Sequence, residues 1–336
     1  MSSLVTTLTE TLRYRGAIGQ WSWVLHRLAG LGVVVFLLIH VIDTSWAVLA
    51  PDLYEEAIAS YQTPIFTIGE FILIAALIYH GYNGLRIILL DYRPRLWRYQ
   101  QRAAVYVLIA AVVTLIPVFI LMLRHVVDYY GSDRPIMSFL DVIETQIPFV
   151  IGVVAAIVAA LALSLVTRLI AGGDVKKTAA QKTGSNLERF WWSFMRISGL
   201  LIILLAGGHL LIIHIIQGVF ELNVAGAEVV GTNVINSSGT AAEFAGNRWN
   251  YLLAGVAIWR IYDLGLLVLA VLHGFNGLRY VLTDYTMSSP LLRRAMVYLC
   301  VIGMVALLVV GGYALFATVD DQAIRIAEEA RLDLLR

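Results

Sequence analysis

An all-α integral membrane protein is the fold class this sequence predicts, and three observations predict it. Apolar residues make up 60% of the 336 residues and charged residues only 14%, against about 25% charged in soluble domains. The mean hydropathy is +0.80, and a soluble domain of this length has too small an interior to hide so much apolar surface. The apolar residues also fall into seven continuous runs, each close to the ~20 residues that a spanning helix needs. A membrane barrel would instead show ~10-residue segments of alternating character.

The predicted spans are 24–49, 65–90, 103–127, 147–171, 193–219, 252–282 and 294–318. The stretch Met1–Trp21 before the first is polar, with no apolar core followed by a cleavage site, so no removable signal peptide is expected. Val41–Glu70, joining the first two spans, has no Lys or Arg but holds Asp43, Asp52, Glu55, Glu56 and Glu70. The next connection is basic, with Arg86, Arg93, Arg95, Arg98 and Arg102. Spans four and five are joined by another basic stretch, with Arg168, Lys176, Lys177, Lys182, Arg189 and Arg196. Glu221–Asn247, between spans five and six, again lacks Lys and Arg. Arg279, Arg293 and Arg294 surround the last turn. Because Lys and Arg collect on the cytoplasmic side, the N-terminus is expected in the cytoplasm and the C-terminus outside, in a cell (cytoplasmic) membrane. The polar segment 321–336 has helical spacing and is expected as a short external helix. Tryptophans at the span ends read as an interfacial belt.

Some chemistries are excluded outright. The one cysteine, Cys300, permits no disulfide, Cys-ligated iron–sulfur cluster, CxxC pair or CxxCH haem attachment within the chain. No phosphate-cradling glycine motif occurs, and nothing suggests a nucleic-acid partner.

The chain repeats itself. His80-Gly-Tyr-Asn-Gly-Leu-Arg-Ile-Ile-Leu-Leu-Asp-Tyr92 returns as His273-Gly-Phe-Asn-Gly-Leu-Arg-Tyr-Val-Leu-Thr-Asp-Tyr285, identical at nine of thirteen positions. Upstream, Arg27-Leu-Ala-Gly30 aligns with Arg196-Ile-Ser-Gly199, and thirteen residues after each Arg stands a histidine, His40 and His209. Two parallel three-helix units follow, 1–130 and 186–320, joined by one extra helix and its loop in 131–185. A unit that starts inside ends outside, so a second unit in the same orientation needs one additional crossing.

Four histidines thus occupy matched positions within spans, where ionisable groups are costly and are functional candidates by default. Two imidazoles facing each other across a bundle hold a haem iron axially. The repeat pairs His80 with His273 and His40 with His209, which predicts two haem b groups at two depths. Gly81, Gly84, Gly274 and Gly277 beside the first pair leave room for a macrocycle or for tight helix packing, and Gly207 and Gly208 precede His209. Arg86 and Arg279, six residues beyond the first pair, suit propionates, as Arg binds carboxylates bidentately. Arg124, Arg248 and Arg260 are candidates for propionates at the outer level. The plain alternative is that each histidine hydrogen-bonds a neighbouring helix. His214 competes with His209, but five residues further along an α-helix it is expected to point elsewhere.

These residues resemble the cytochrome b membrane anchor of the succinate dehydrogenase/fumarate reductase family, respiratory complex II. Trp23-Val-Leu-His-Arg-Leu-Ala-Gly30 is similar to the start of the first helix of the larger anchor subunit, whose usual pattern is Ser-x-x-His-Arg-x-x-Gly; Trp23 stands at the Ser position here, with Ser22 next to it. His80 to Asp91 resembles that subunit's haem-ligand helix, and His273 to Leu282-Thr-Asp-Tyr285 the haem and quinone segment of the smaller subunit. The resemblance implies two anchor subunits fused in one chain, of the two-haem type. It implies a flavoprotein that oxidises succinate, an iron–sulfur subunit docked on the cytoplasmic face, and electron transfer to a membrane quinone, with menaquinone expected, as in the tricarboxylic acid cycle. The implied quinone-site residues are Tyr285, Asp284, Arg27, Ser22 and Trp23. The implied propionate contacts include His26, Arg27 and Arg196 beside Arg86 and Arg279. A higher oligomer stays open. Two other readings compete: a dihaem cytochrome b anchor of a hydrogenase or formate dehydrogenase, and a haem-free transporter or structural anchor.

Overall fold

The computed structural model describes residues 16–132, 138–171 and 186–335. Lys176, Lys177 and Lys182, named above, lie outside the described residues. The elements in order are α1 (Ile18–Leu49), α2 (Pro51–Tyr61), α3 (Pro64–Tyr92), a 3₁₀ turn (Pro94–Tyr99), α4 (Gln100–Tyr130) and α5 (Phe139–Ile170). There follow α6 (Asn186–His209), continued as a π-helical stretch (Leu210–Gln217), and a two-stranded antiparallel hairpin of β1 (Ala227–Glu228) and β2 (Ile235–Asn236). The chain ends with α7 (Ala241–Asn250), α8 (Ile258–Tyr285), α9 (Pro290–Phe316) and α10 (Asp321–Leu334). Among the described residues, seven helices are long and apolar enough to cross a membrane. The protein is all-α, as the sequence predicts.

Span boundaries moved where polar chemistry or backbone geometry intervened. The first and fifth spans (α1 and α6) begin earlier than their apolar runs, at Ile18 and Asn186, because amphipathic residues continue the winding past the hydrocarbon. The sixth span (α8) begins at Ile258 rather than 252. The apolar residues before it instead form a turn in which Ala254 and Gly255 take φ of 52° and 81° and Leu253 pairs with Val256. No right-handed helix accommodates such angles.

Four helices form a closed ring: α1 packs on α3, α3 on α6, α6 on α8, and α8 on α1. α4 lies against α3 and α1, while α9 lies against α8 and α1 and carries α5 on its other side. Most large apolar side chains of α4 and α5 are exposed, as expected of surfaces that lipid covers. The continuous buried core runs along the α8–α9 seam and into a cap built from α2, the hairpin, α7 and α10. Pro51 opens α2 and Asp320 caps α10 through the Ala323 N–H at 2.8 Å. Arg331 of α10 reaches the carbonyls of Asn223 and Ser238 and ties the hairpin segment down. This cap closes the end of the ring opposite Arg86 and Arg279.

Candidate functional site: two histidine pairs inside a four-helix ring

Each helix of the ring contributes one of the four matched histidines: His40 from α1, His80 from α3, His209 from α6 and His273 from α8. The ring centroids of His80 and His273 are 6.4 Å apart, and those of His40 and His209 are 5.9 Å apart. Two imidazoles bound to opposite sides of one metal, at about 2 Å per bond, have centroids about 6.3 Å apart. Among the described residues no cluster of three or more His, Cys, Asp or Glu is arranged to hold a metal by itself. Paired imidazoles therefore suit an iron that brings its own in-plane ligands.

The hydrogen bonds at the first pair fix the chemistry of both rings. His80 Nδ1 lies 3.1 Å from the His26 carbonyl. A carbonyl only accepts, so Nδ1 carries the hydrogen and Nε2 is free to bind. Ser198 donates its hydroxyl to the Phe194 carbonyl at 2.6 Å, so it accepts from His273 Nδ1 at 2.9 Å, and Nε2 is again free. Two glycines make space for these rings. A Cβ on Gly30 would lie 2.9 Å from His80 Cε1, and one on Gly199 would lie 3.3 Å from His273 Cε1. These are the glycines that end the repeated Arg-x-x-Gly. Gly81, Gly84, Gly274 and Gly277 face Ile203, His26, Val34 and Met195 instead.

Below this pair the repeated motif leaves donors without acceptors. Asn83 and Asn276 are buried, and each accepts from the arginine three residues on: Arg86 Nη1 at 2.6 Å and Arg279 Nε at 3.0 Å. Asn83 Nδ2, Arg86 Nε, Asn276 Nδ2, Arg279 Nη2 and His26 Nδ1 are buried with no hydrogen-bond partner. Orphan polar groups of this kind are costly, and the amide and guanidinium donors among them fit the carboxylates of haem propionates. His26 itself stacks on His80, with centroids 4.0 Å apart.

The remaining predicted residues divide into two groups. Arg27 pairs with Asp284 across the units, and Arg196 pairs with Asp91 at 2.5 Å in the matching position. Trp23 lies over Arg27 at 4.1 Å and Trp192 over Arg196 at 4.0 Å. Tyr285 follows Asp284 and is 77% exposed. Trp23 also lines a cavity of about 490 Å³ with Gln20, Val24, Gln100 and Gln101. Ser22 stands apart from Arg27 and Trp23: it is buried against Asn83, Tyr79 and Arg86.

At the second pair the structure corrects one expectation. His214 does not point away. Its centroid is 6.1 Å from His40 and 5.4 Å from His209. In an α-helix, residues five apart differ by about 140° around the axis, but Leu210–Gln217 is wound as a π-helix, whose i→i+5 bonds bring such residues towards one face. The last of these bonds runs from Gly218 N–H to the Ile213 carbonyl at 2.8 Å. Tyr262 donates to the Leu205 carbonyl, the acceptor four residues before His209, and Gly208 clears its path, since a Cβ there would meet Tyr262 Oη at 2.7 Å. The next residue, Asp263, faces His209 at 3.8 Å. Of the outer arginines, only Arg248 reaches this level: it pairs with Asp263 at 3.2 Å, and its Nη1 is buried without an acceptor. Arg260 bonds cap carbonyls and Asn250, and Arg124 is exposed beside Asp128.

The repeated motif contains Gly30, Ser198 and Gly199 without disclosing their roles, and the sequence reading did not single out Tyr262 or Asp263. For Asp263 the signal was present: it is an acid within an otherwise apolar span.

Comparison with known proteins decides the family. The profile described as "Succinate dehydrogenase/Fumarate reductase transmembrane subunit" matches residues 7–121 and 176–312, about three quarters of the chain. The chain belongs to this family. It is therefore a multi-pass membrane subunit of the succinate dehydrogenase/fumarate reductase type. The two matched blocks leave out 122–175, where α5 lies. The chain is also similar to the "Succinate dehydrogenase 2 membrane subunit SdhC" of Mycobacterium tuberculosis (strain ATCC 25618 / H37Rv), with 39% identity over 106 residues, 30% of this chain and 78% of the relative. No solved structure matches.

Proposed function

We propose that this succinate dehydrogenase/fumarate reductase family member is the dihaem cytochrome b anchor of a succinate:quinone oxidoreductase, two three-helix anchor units fused in one chain. The observation that carries the reading is the pair of imidazole pairs, one histidine from each helix of the ring, at separations of 6.4 and 5.9 Å. His80 and His273 hold the proximal haem b and His40 and His209 the distal one. Arg86, Arg279 and His26, with their unpartnered donors, receive the proximal propionates. Bound haem supplies reversible one-electron storage along the ring. The protein's share is to fix each imidazole, to exclude water, and to hold the ionised groups at the ends.

The basic end faces the cytoplasm, by the distribution of Lys and Arg. There it docks an iron–sulfur subunit that carries electrons from a flavoprotein, because the single cysteine of this chain cannot build a cluster. Quinone, menaquinone in this reading, is reduced at that end beside Trp23, Arg27, Asp284 and Tyr285. Tyr285 is free to donate to a quinone carbonyl, and the cavity that Trp23 lines lies within the size range of small-molecule sites. The capped end faces outward.

The test is a reduced-minus-oxidised spectrum of the purified complex with haem counted per chain. Two low-spin haems are expected, and fewer than two in His80→Ala or His273→Ala. A count of zero overturns the reading; a count of one removes the His40/His209 pair.

A further inference from the structure

We infer that Asp263 is the positioning residue that makes His209, rather than His214, the partner of His40; this rests on the dihaem reading above. The π-helical winding offers His40 two imidazoles at nearly equal distance, 5.9 and 6.1 Å. Distance alone does not choose between them, but their surroundings do. His209 Nδ1 is buried with no hydrogen-bond partner, and Asp263 Oδ1 stands 3.8 Å away. That is long for a hydrogen bond, yet among the described residues the carboxylate is the ring's one ion-pair partner. Asp263 is itself held on two sides by α7, by Arg248 Nη2 at 3.2 Å and Trp249 Nε1 at 3.2 Å. At that distance the charge of the carboxylate favours the tautomer with the hydrogen on Nδ1, which leaves Nε2 for the iron. Among the described residues, no hydrogen bond or ion pair orients His214, whose ring faces those of His40 and His209.

Tyr262 explains how the choice is built in. Its hydroxyl occupies the Leu205 carbonyl, one α-turn before His209. The side chain that intrudes on the helix ladder and the carboxylate that orients the ligand are therefore neighbours on α8. At the proximal level the orienting acceptors are neutral, a backbone carbonyl for His80 and a hydroxyl for His273. Asp263 is the charged one. A negative charge behind an axial imidazole raises its basicity and favours the oxidised iron.

The experiment uses the purified complex carrying the native chain, Asp263→Asn, Asp263→Glu or His214→Phe. Haem per chain, ferric low-spin electron paramagnetic resonance and a redox titration are the readouts, with the proximal haem as the internal control for folding. His214→Phe is expected to keep both haems and the native distal midpoint. Asp263→Asn is expected to lower the distal iron's preference for its oxidised form about tenfold, an upward shift of about 59 mV for a one-electron couple, and to move its resonance. Asp263→Glu is expected to restore most of the shift. Loss of the distal haem in His214→Phe with the proximal haem intact overturns the assignment, as does a native distal midpoint in Asp263→Asn. If Asp263→Asn fails to assemble, His214→Phe and Asp263→Glu decide on the same readouts. Fewer than two haems in the native complex overturns the dihaem reading itself.

Discussion

A methyl group on Gly30 would stand 2.9 Å from Cε1 of His80, closer than packed carbons come. Gly30→Ala is therefore expected to displace a ligand ring and to lower proximal haem occupancy, with an overpacking cost of about 1–3 kcal/mol. Gly152 on α5 is exposed and has nothing within 4 Å of its would-be Cβ, so Gly152→Ala should leave haem content unchanged and gain up to about 1 kcal/mol of helix propensity. Haem content and melting temperature measured side by side separate the two. In the cap, burial pushes the Glu55 carboxyl up from 4.5 to about 7, against the N–H groups of Ala241 and Ala242 and the charge of Arg331. Its folded pKa lies above its unfolded one, so the folded state binds the proton more tightly. The stabilisation is full below about 4.5, declines as pH rises, and is gone above about 7. The span amounts to roughly 3 kcal/mol. Melting curves of the complex between pH 5 and 8 should show that loss, and Glu55→Gln, which keeps an acceptor for Ala242, should flatten it.

Helix pairs are joined at the basic end by two ion pairs in matching positions, but their settings differ. The side chain of Asp91 is 19% exposed and that of Asp284 50% exposed. Removing Arg196 strands a carboxylate in a nearly closed site, whereas removing Arg27 leaves one that water reaches. Arg196→Ala is expected to destabilise by about 1–3 kcal/mol and Arg27→Ala by less than about 1 kcal/mol, as read by thermal unfolding. At this scale much was legible. The type, number and rough extent of the spans followed from continuous apolar runs, and the His-Gly-x-Asn-Gly-x-Arg repeat marked two helices whose histidines, His80 and His273, meet inside the ring. What stayed hidden depended on contacts between distant segments. The π-helical stretch begins just past the Leu205 carbonyl that Tyr262 takes from another helix. The roles of Gly30 and Gly199 depend on where His80 and His273 lie in space. The turn at 251–257 is as apolar as a helix, and only its positive φ angles end the span.

The whole molecule has a basic end and a capped end, and the proposed orientation makes a direct prediction. Cys300 is 1% exposed and should stay silent to a membrane-impermeant maleimide. Ser237→Cys, in the cap, should label in intact cells, and Ser288→Cys, in the turn between α8 and α9, only after the cells are opened. The reverse pattern would invert the docking face. The four histidine positions of the ring carry a further consequence. Each histidine pair draws one ligand from before α5 and one from after it, so neither half of the chain holds a complete pair. On the dihaem reading, capturing the cofactor is an act of association between two halves already tethered through α5. A tether of this kind raises the local concentration of one half about the other to the millimolar range. Haem loading should thus depend on the supply of haem rather than on the chance meeting of two separate anchor chains, and it would serve the cell as a checkpoint that the entire anchor has been made.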